Sequence, residues 1–415
     1  MAVLRAGAHA HGDRTAFGAG SHLKPMLYEA VDTSILTSER HLVAHVRSLV
    51  IGAAAFCLFC SLAFDEAAAQ SSVVDDPLKS VRSVQEKSDY GLGNGSFLVA
   101  PIPFSNPVVG AGLALGGGYL FQLDPEADTS FVGLGALASD NGSSAIGTAL
   151  NLSFGNGWRF DFALVDADLR YDLFLGQLEV PIEQDGTLLN SGFDYKISKT
   201  ISVGAAFRYL DSTIGLRNSE TAVPPELLPD LGLELMSLGG RIEWDVRDDG
   251  DYPTQGALFS IAANRGSTLS GPARSYGYGS ANFDVYNALS DTSVLAGRLS
   301  TCAASENAPF FDKCSIGFSD AFRGFSPTEF YDTRMASAQI EVRQRLGNRW
   351  GVVAFGGIGW TGSSYGSLTE DGDRIAGGLG VRYRVSQQFP IDFSVDVSRN
   401  NDSEEFLYIY VGQRF

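Results

Sequence analysis

From about Ser96 to Phe415 the chain repeats one pattern: runs of alternating apolar and polar side chains, cut by turns. Ile391, Phe393, Val395 and Val397 alternate with Asp392, Ser394, Asp396 and Ser398. Ile375, Leu379, Val381, Tyr383 and Val385 share one parity, while Arg374, Arg382 and Arg384 take the other. Met236, Leu238, Ile242, Trp244 and Val246 oppose Arg241, Glu243, Asp245 and Arg247 in the same way. A period of two sends successive side chains to opposite faces of a strand, so each run has one apolar and one charged face. A soluble sandwich alternates too, but its strands are usually ~5–6 residues long. These runs are commonly 10 to 16 residues.

Strands of that length, apolar on one face, suit a closed barrel in lipid, where helices and sealed barrels alone satisfy every backbone group. Trp350 and Trp360 share a parity on one strand. At ~3.3 Å per residue and a ~45° tilt they would stand about 23 Å apart, close to the ~25 Å apolar band with aromatic girdles. The chain closes on an alternating strand with Tyr408, Tyr410, Gly412 and a final Phe415, the form of terminal strand that outer-membrane assembly machinery recognises in many barrels. Glycine is abundant, 48 of 415 residues, and mean hydropathy is only +0.02. A bundle of transmembrane helices would need repeated apolar runs of ~20 residues, which excludes that class. A net charge of -18 excludes a nucleic-acid binder, since phosphates would find no neutralising surface.

The expected fold is therefore all-β, a 16-stranded antiparallel transmembrane β-barrel with both termini periplasmic. The strands are placed at 96–104, 108–123, 130–139, 143–155, 158–170, 180–197, 201–216, 233–247, 256–266, 275–289, 292–304, 335–346, 350–360, 373–386, 390–399 and 406–415. Several connections after even strands are tight, and the longest connection, 305–334, follows an odd one. Short periplasmic turns and long outer loops give that asymmetry.

Upstream, His45 and Arg47 precede an apolar run from Leu49 to Phe64, which ends near Ala67 and Ala69. A basic flank, a short apolar core and small residues at −3 and −1 describe a secretory signal cleaved after Ala69; a membrane anchor is the alternative. Residues 1–69 are thus read as leader and signal, 70–95 as a short polar periplasmic segment, and 96–415 as the barrel. All five histidines (His9, His11, His22, His41, His45) fall in the leader, so a chain starting at Gln70 has none. That removes Ser-His-Asp and other histidine-dependent catalysis, and no catalytic residue is assigned. Asp166, Asp168 and Asp172, like Asp248, Asp249 and Asp251, are read as lumen-facing or turn acids, because no complete ligand loop surrounds them. No metal or cofactor is expected.

The 305–334 connection carries Phe322, Arg323, Gly324 and Phe325 after the eleventh strand, with five strands to follow. Glu341 and Arg343 form a Glu-x-Arg pattern on the next strand. Asp245, Arg247 and Asp248, then Pro253 and Gly256, mark the turn after the eighth. In this set and its spacing the chain resembles the BamA/TamA superfamily of outer-membrane assembly and translocation barrels, also called bacterial surface antigens. The resemblance spans roughly Ser96 to Phe415. It implies that the sixth outer loop folds back into the lumen on its Arg-Gly-aromatic tip. Arg323 would need a carboxylate there, since an unpaired buried charge is costly. The expected partner is Glu341; two separately solvated side chains in a wet pore are the alternative. The family's second acid, on the thirteenth strand, is replaced by Gly357, leaving a single anchor or another acid such as Asp396.

Residues 70–95 are too few for a periplasmic POTRA domain, so the resemblance is to a member without one. Cys302 and Cys314, in an oxidising compartment, would close a disulfide at the start of the large loop or remain free thiols. The implied function is assistance in inserting or translocating proteins or lipids through a lateral seam in the outer membrane of a Gram-negative bacterium. The alternative is a passive pore or structural surface antigen. Outer-membrane lipids and the machinery for its own insertion are the expected partners; the client is open.

Overall fold

A computed structural model describes residues 91–415 apart from 177, 218–231, 272, 319 and 385–391. The leader and almost all of the polar segment therefore lie outside the described residues, as do the ends placed at 385, 386, 390 and 391. Sixteen strands run β1 (Ser96–Asn106), β2 (Gly110–Phe121), β3 (Ser130–Ser139), β4 (Ser144–Ser153), β5 (Trp158–Leu175), β6 (Leu178–Lys196), β7 (Ile201–Leu216) and β8 (Gly232–Asp245). They continue as β9 (Gly256–Ser270), β10 (Ser275–Ser290), β11 (Ser293–Ala304), β12 (Arg334–Leu346), β13 (Trp350–Gly362), β14 (Arg374–Arg384), β15 (Asp392–Asn400) and β16 (Glu405–Val411). Each pairs antiparallel with its neighbours, and β16 returns to β1 to close the barrel.

The alternation decides which face is which. Leu379, Leu238 and Leu134 are outward and exposed, whereas Arg382, Glu341 and Asp396 point inward and are buried. At the end carrying the even-numbered turns, Trp158 packs at a tilt on Tyr195 and Trp350 on Tyr383, both pairs with centroids 4.8 Å apart, and Trp244, paired with Ile201 at the start of β7, is exposed at the same end. This is one aromatic girdle.

Three expectations need correction. Trp360 has the outward parity of Trp350 but is 1% exposed. Its indole N–H donates to Asp373, and a Cβ on Gly362 would meet Ser367, so the 363–373 connection folds over the outer wall there. Asp166, Asp168 and Asp172 are not lumen-facing. They share the parity of the exposed Trp158 and Leu164, and Asp166 sits opposite Thr187 on the outer face, where β5–β7 continue past the apolar stretch. Finally, β16 stops at Val411 rather than 415, because Gly412 turns the backbone at φ 95. β5 and β9 instead run further than the sequence pattern suggested, to Leu175 and Ser270.

Candidate functional site

The connection between β11 and β12 enters the barrel and is tied at each stage of its path. A disulfide joins Cys302, at the end of β11, to Cys314, with Cα atoms 5.5 Å apart. A 3-10 turn, Phe310–Asp312, then presents the buried Asp312 to Arg208 on β7 and to the Tyr276 hydroxyl, which donates at 2.7 Å. Phe310 and Tyr331 pack on an apolar patch of Tyr171, Leu173, Val180, Ile182 and Ile214, the inner face of the long ends of β5–β7. Beyond residue 168 the edge of β5 has outrun β4, and its free backbone is taken up by the loop. The Phe174 N–H donates to the Thr328 carbonyl, and the Thr328 hydroxyl donates to the Asp172 carbonyl.

The tip lies deepest. Arg323, 2% exposed, donates from Nη1 to Asp396 and from Nη2 to Glu341, each at 2.5 Å. Its guanidinium lies 3.5 Å from the Phe355 ring centroid. Each acid has a further cation: Arg343 Nε donates to Glu341 at 2.8 Å, and Arg382 bonds Asp396. The Tyr410 hydroxyl also donates to Asp396 at 2.7 Å. The charges are thus paired in a network, the condition under which buried ions are tolerated.

Gly324 takes φ 119, and a Cβ there would stand 2.4 Å from the Ala376 Cβ, so no side chain fits. Its N–H donates to the Tyr408 hydroxyl on β16, and its carbonyl accepts from Asn400 on β15. Gly357, where the family pattern would have an acid, is filled by the Phe322 ring: a Cβ would meet it at 2.7 Å. The second carboxylate therefore comes from β15, and the tip binds β12, β15 and β16 at once. The turn after β8 is a separate device. Asp245 accepts from Arg247; Asp248 accepts from the Thr254 and Gln255 N–H groups; Gly256 takes φ 102. Pro253 is buried, and the Tyr252 ring centroid lies 4.3 Å from the Arg345 guanidinium on β12 and 5.3 Å from that of Arg384 on β14.

Sequence reasoning brought Arg323 to Glu341 and weighed Asp396. It missed Asp312 with Arg208, Thr328 with β5, and Tyr252. An acid placed before the Arg-Gly tip, within an aromatic run (Phe310, Phe311, Asp312), was the available signal for the first.

The Omp85 superfamily domain matches residues 131–415, more than half of the chain. The chain belongs to the Omp85 superfamily. Among solved structures, BamA from Haemophilus ducreyi lacking POTRA domains 1-3 is similar with a TM-score of 0.52 and 14% identity, over 82% of this chain and 77% of that one. CdiB from Escherichia coli gives 0.51 and 12%, over 80% and 68%; CdiB from Acinetobacter baumannii gives 0.50 and 12%, over 77% and 59%. At these identities the likeness is one of fold. No curated protein matches the chain.

In this Omp85 barrel the β1–β16 seam differs from every other junction. β1 meets β2 in an unbroken ladder from Ser96–Leu120 to Asn106–Gly110, yet among the described residues one register pair, Ser105–Ile409, joins it to β16. The backbone explains why. The Asp140 N–H donates to Ala111, so odd residues of β2 face β3 and even ones face β1. Hence even residues of β1 bond β2, and its odd residues face β16. Two of those odd residues are Pro101 and Pro103, which have no N–H to donate. Continuing the Ser105–Ile409 register would set Pro103 against Val411 and Pro101 against Gln413. There the tail leaves the wall. After Gly412 it turns into the lumen, where Phe415 packs with Tyr286 and Ala296 under the Arg298 guanidinium, 5.2 Å from its ring. Arg343 donates to the Phe415 carbonyl. Tyr408 and Tyr410 point inward as well, so Phe415 ends inside the barrel rather than on the outer face.

Proposed function

We propose that this protein is an outer-membrane barrel that assists insertion or translocation of proteins or lipids by parting β1 from β16, with loop 305–333 seated in the lumen. The observation that carries this reading is the single register pair at the seam, set against full ladders elsewhere. A wall held by one register pair and the Ser105 hydroxyl donating to the Leu407 carbonyl opens at lower cost than one held by eleven pairs. The Arg323 tip supports the same reading, because it holds β12, β15 and β16 as one body against which β1 can swing. In this reading both termini are periplasmic, residues 1–69 are a leader with a secretory signal, and 70–95 are a short periplasmic segment. Tyr408, Tyr410, Gly412 and Phe415 are read by outer-membrane assembly machinery before the tail folds inward. The protein is a conduit and carries no catalytic residue.

The test is a seam lock. Ser105→Cys with Ile409→Cys, oxidised in cells depleted of the native protein, should fail to restore the outer-membrane protein and lipid profile, and reduction should restore it. A locked barrel that restores both in full would overturn the proposal. A passive pore predicts large steady conductance in planar bilayers from the intact chain; the seated loop predicts little until 305–333 is deleted.

A further inference from the structure

The inner wall of the barrel is divided in chemistry. At the inward positions of β12, β14 and β15 stand Glu341, Arg343, Arg345, Arg382, Asp392 and Asp396, mostly buried under the loop tip. At the inward positions of β1–β4 there is no charged side chain at all among the described residues. Leu98, Ile102, Phe104, Ala114, Phe131 and Leu137 line that side with glycines between them. The Phe131 ring lies flat over Gly118 and Gly133, where a Cβ would meet it at 2.1 and 2.3 Å. Leu98, at the end of the wall, is 39% exposed, and Ile102, Phe104, Phe131 and Leu137 are half-buried, so none of them is fully covered. Barrel interiors are ordinarily polar, and an uncovered apolar wall facing water is unfavourable by ~25 cal/mol per Å².

That wall meets the open part of the seam. Between Phe97 and Pro103 the edge of β1 has no ladder partner, because the tail has turned inward. Phe97 and Val99 are 86% and 71% exposed on the outer face of the same edge. Apolar side chains therefore flank the β1 edge on both its outer and its lumen side, with the backbone of 97–103 between them. The slot lies at the end of the barrel that bears the chain termini, hence in one leaflet. A polypeptide strand added here would find two of the four seam-facing donor positions of 97–103 occupied by proline, and the two carbonyls opposite them would go unpaired in lipid. A hydrocarbon chain asks for no donor at the two proline positions.

We infer that the inward face of β1–β4 holds an acyl chain of a phospholipid, admitted from the adjoining leaflet through the slot between β1 residues 97–103 and the inturned tail. The inference deepens the proposed function by naming its substrate class, and it rests on that reading for the membrane setting. The Arg345 and Arg384 side chains across the turn end, already paired with Asp392, keep the opposite wall polar, so the chain is confined to the apolar side.

Proteoliposomes of phosphatidylethanolamine and phosphatidylglycerol, doped with phosphatidylethanolamine bearing a diazirine at the end of one acyl chain, provide the test. After irradiation, adducts mapped by mass spectrometry should fall on inward Ile102 and Leu137 as well as outward Leu134, and not on inward Ser394. Ile102→Asp with Leu137→Asp should lower inward adducts on β1–β4 at least tenfold and leave Leu134 unchanged, with heat-modifiable gel mobility confirming a folded barrel. Should that variant not fold, Pro101→Val with Pro103→Val, which restores the donors and zips the slot, should lower them likewise. Strong adducts at Leu134 with none at inward positions overturn the inference, as does a polypeptide rather than a lipid captured by a photoreactive residue at 102. The seam lock separates the two ideas. Inward adducts in a locked barrel that also sustains growth would keep the lipid site and remove seam parting; their absence in an unlocked, functional barrel would do the reverse.

Discussion

Arg323 bridges two carboxylates that each retain a second cation, and this shapes what its loss would do. In Arg323→Ala, Glu341 keeps Arg343 and Asp396 keeps Arg382 and Tyr410, so neither acid is stranded. The cost should fall at the low end for a broken buried pair, about 3 kcal/mol of loop docking. Hydrogen exchange of 320–326 in detergent or nanodiscs should rise by roughly two orders of magnitude, with the strands unaffected; unchanged exchange would show the tip is held by Phe322 and Gly324 instead. Glu329 offers a pH handle on the same loop. Burial, then the like charges of Glu404 and Asp402, raise its carboxyl to about 7 from an ordinary 4.5, with Arg374 opposing. The seated loop thus binds this proton more tightly than the released loop does. Its contribution is full below about pH 4.5 and lost as pH rises through about 7. Exchange of 326–331, corrected for intrinsic rate, should be slower at pH 5.5 than at pH 8, and Glu329→Gln should abolish the difference.

As elements, the large loop and the strands it touches form three attachments of different kinds. The disulfide fixes its entry, the β5 edge with the apolar patch fixes its span, and the ion network fixes its tip. Cys302→Ser with Cys314→Ser should release only the first, loosening it by about 2–3 kcal/mol. Limited proteolysis should then cut within 305–315 and spare 320–326; cleavage throughout would show that the entry governs the whole loop. The strands and their faces were legible in sequence because alternation is read one residue at a time, as Arg382 against Val381 illustrates. The Arg323–Glu341 pair was legible because a buried cation demands an acid and Glu341 has the inward parity. Asp312 with Arg208, and Thr328 with β5, were not, since they join segments over a hundred residues apart and depend on where β5 outruns β4. Trp360 had the right parity and the wrong surroundings: period gives the face, while cover is supplied by a distant loop.

At the scale of the whole molecule, the barrel is an asymmetric ring. One arc, β12–β16, is cross-linked by ions and by the loop tip; the other, β1–β4, is built of small and apolar residues and ends in a donor-poor edge. The two proline positions connect these facts. Pro103 and Pro101 offer no N–H to the segment that would continue β16; Val411 is the last wall residue, Gly412 turns, and Phe415 finds its contacts in the lumen. On this reading the neighbour's missing N–H groups act with Gly412 to set where the strand stops, and its own alternation, which continues to Val411, gives no warning. Restoring the donors should therefore lengthen β16. Pro101→Val with Pro103→Val permits two more backbone bonds, each worth ~1 kcal/mol net and more in lipid, where the alternative is an unpaired carbonyl. The temperature at which the folded band converts on a heat-modifiability gel should rise, and amide protection should extend from Val411 to Gln413. Phe415 should leave its contacts with Tyr286, detected as loss of a crosslink between Tyr286→Cys and Phe415→Cys. If the double variant melts at the original temperature with Val411 still exchanging freely, the prolines do not set the seam, and Gly412 alone must account for the turn.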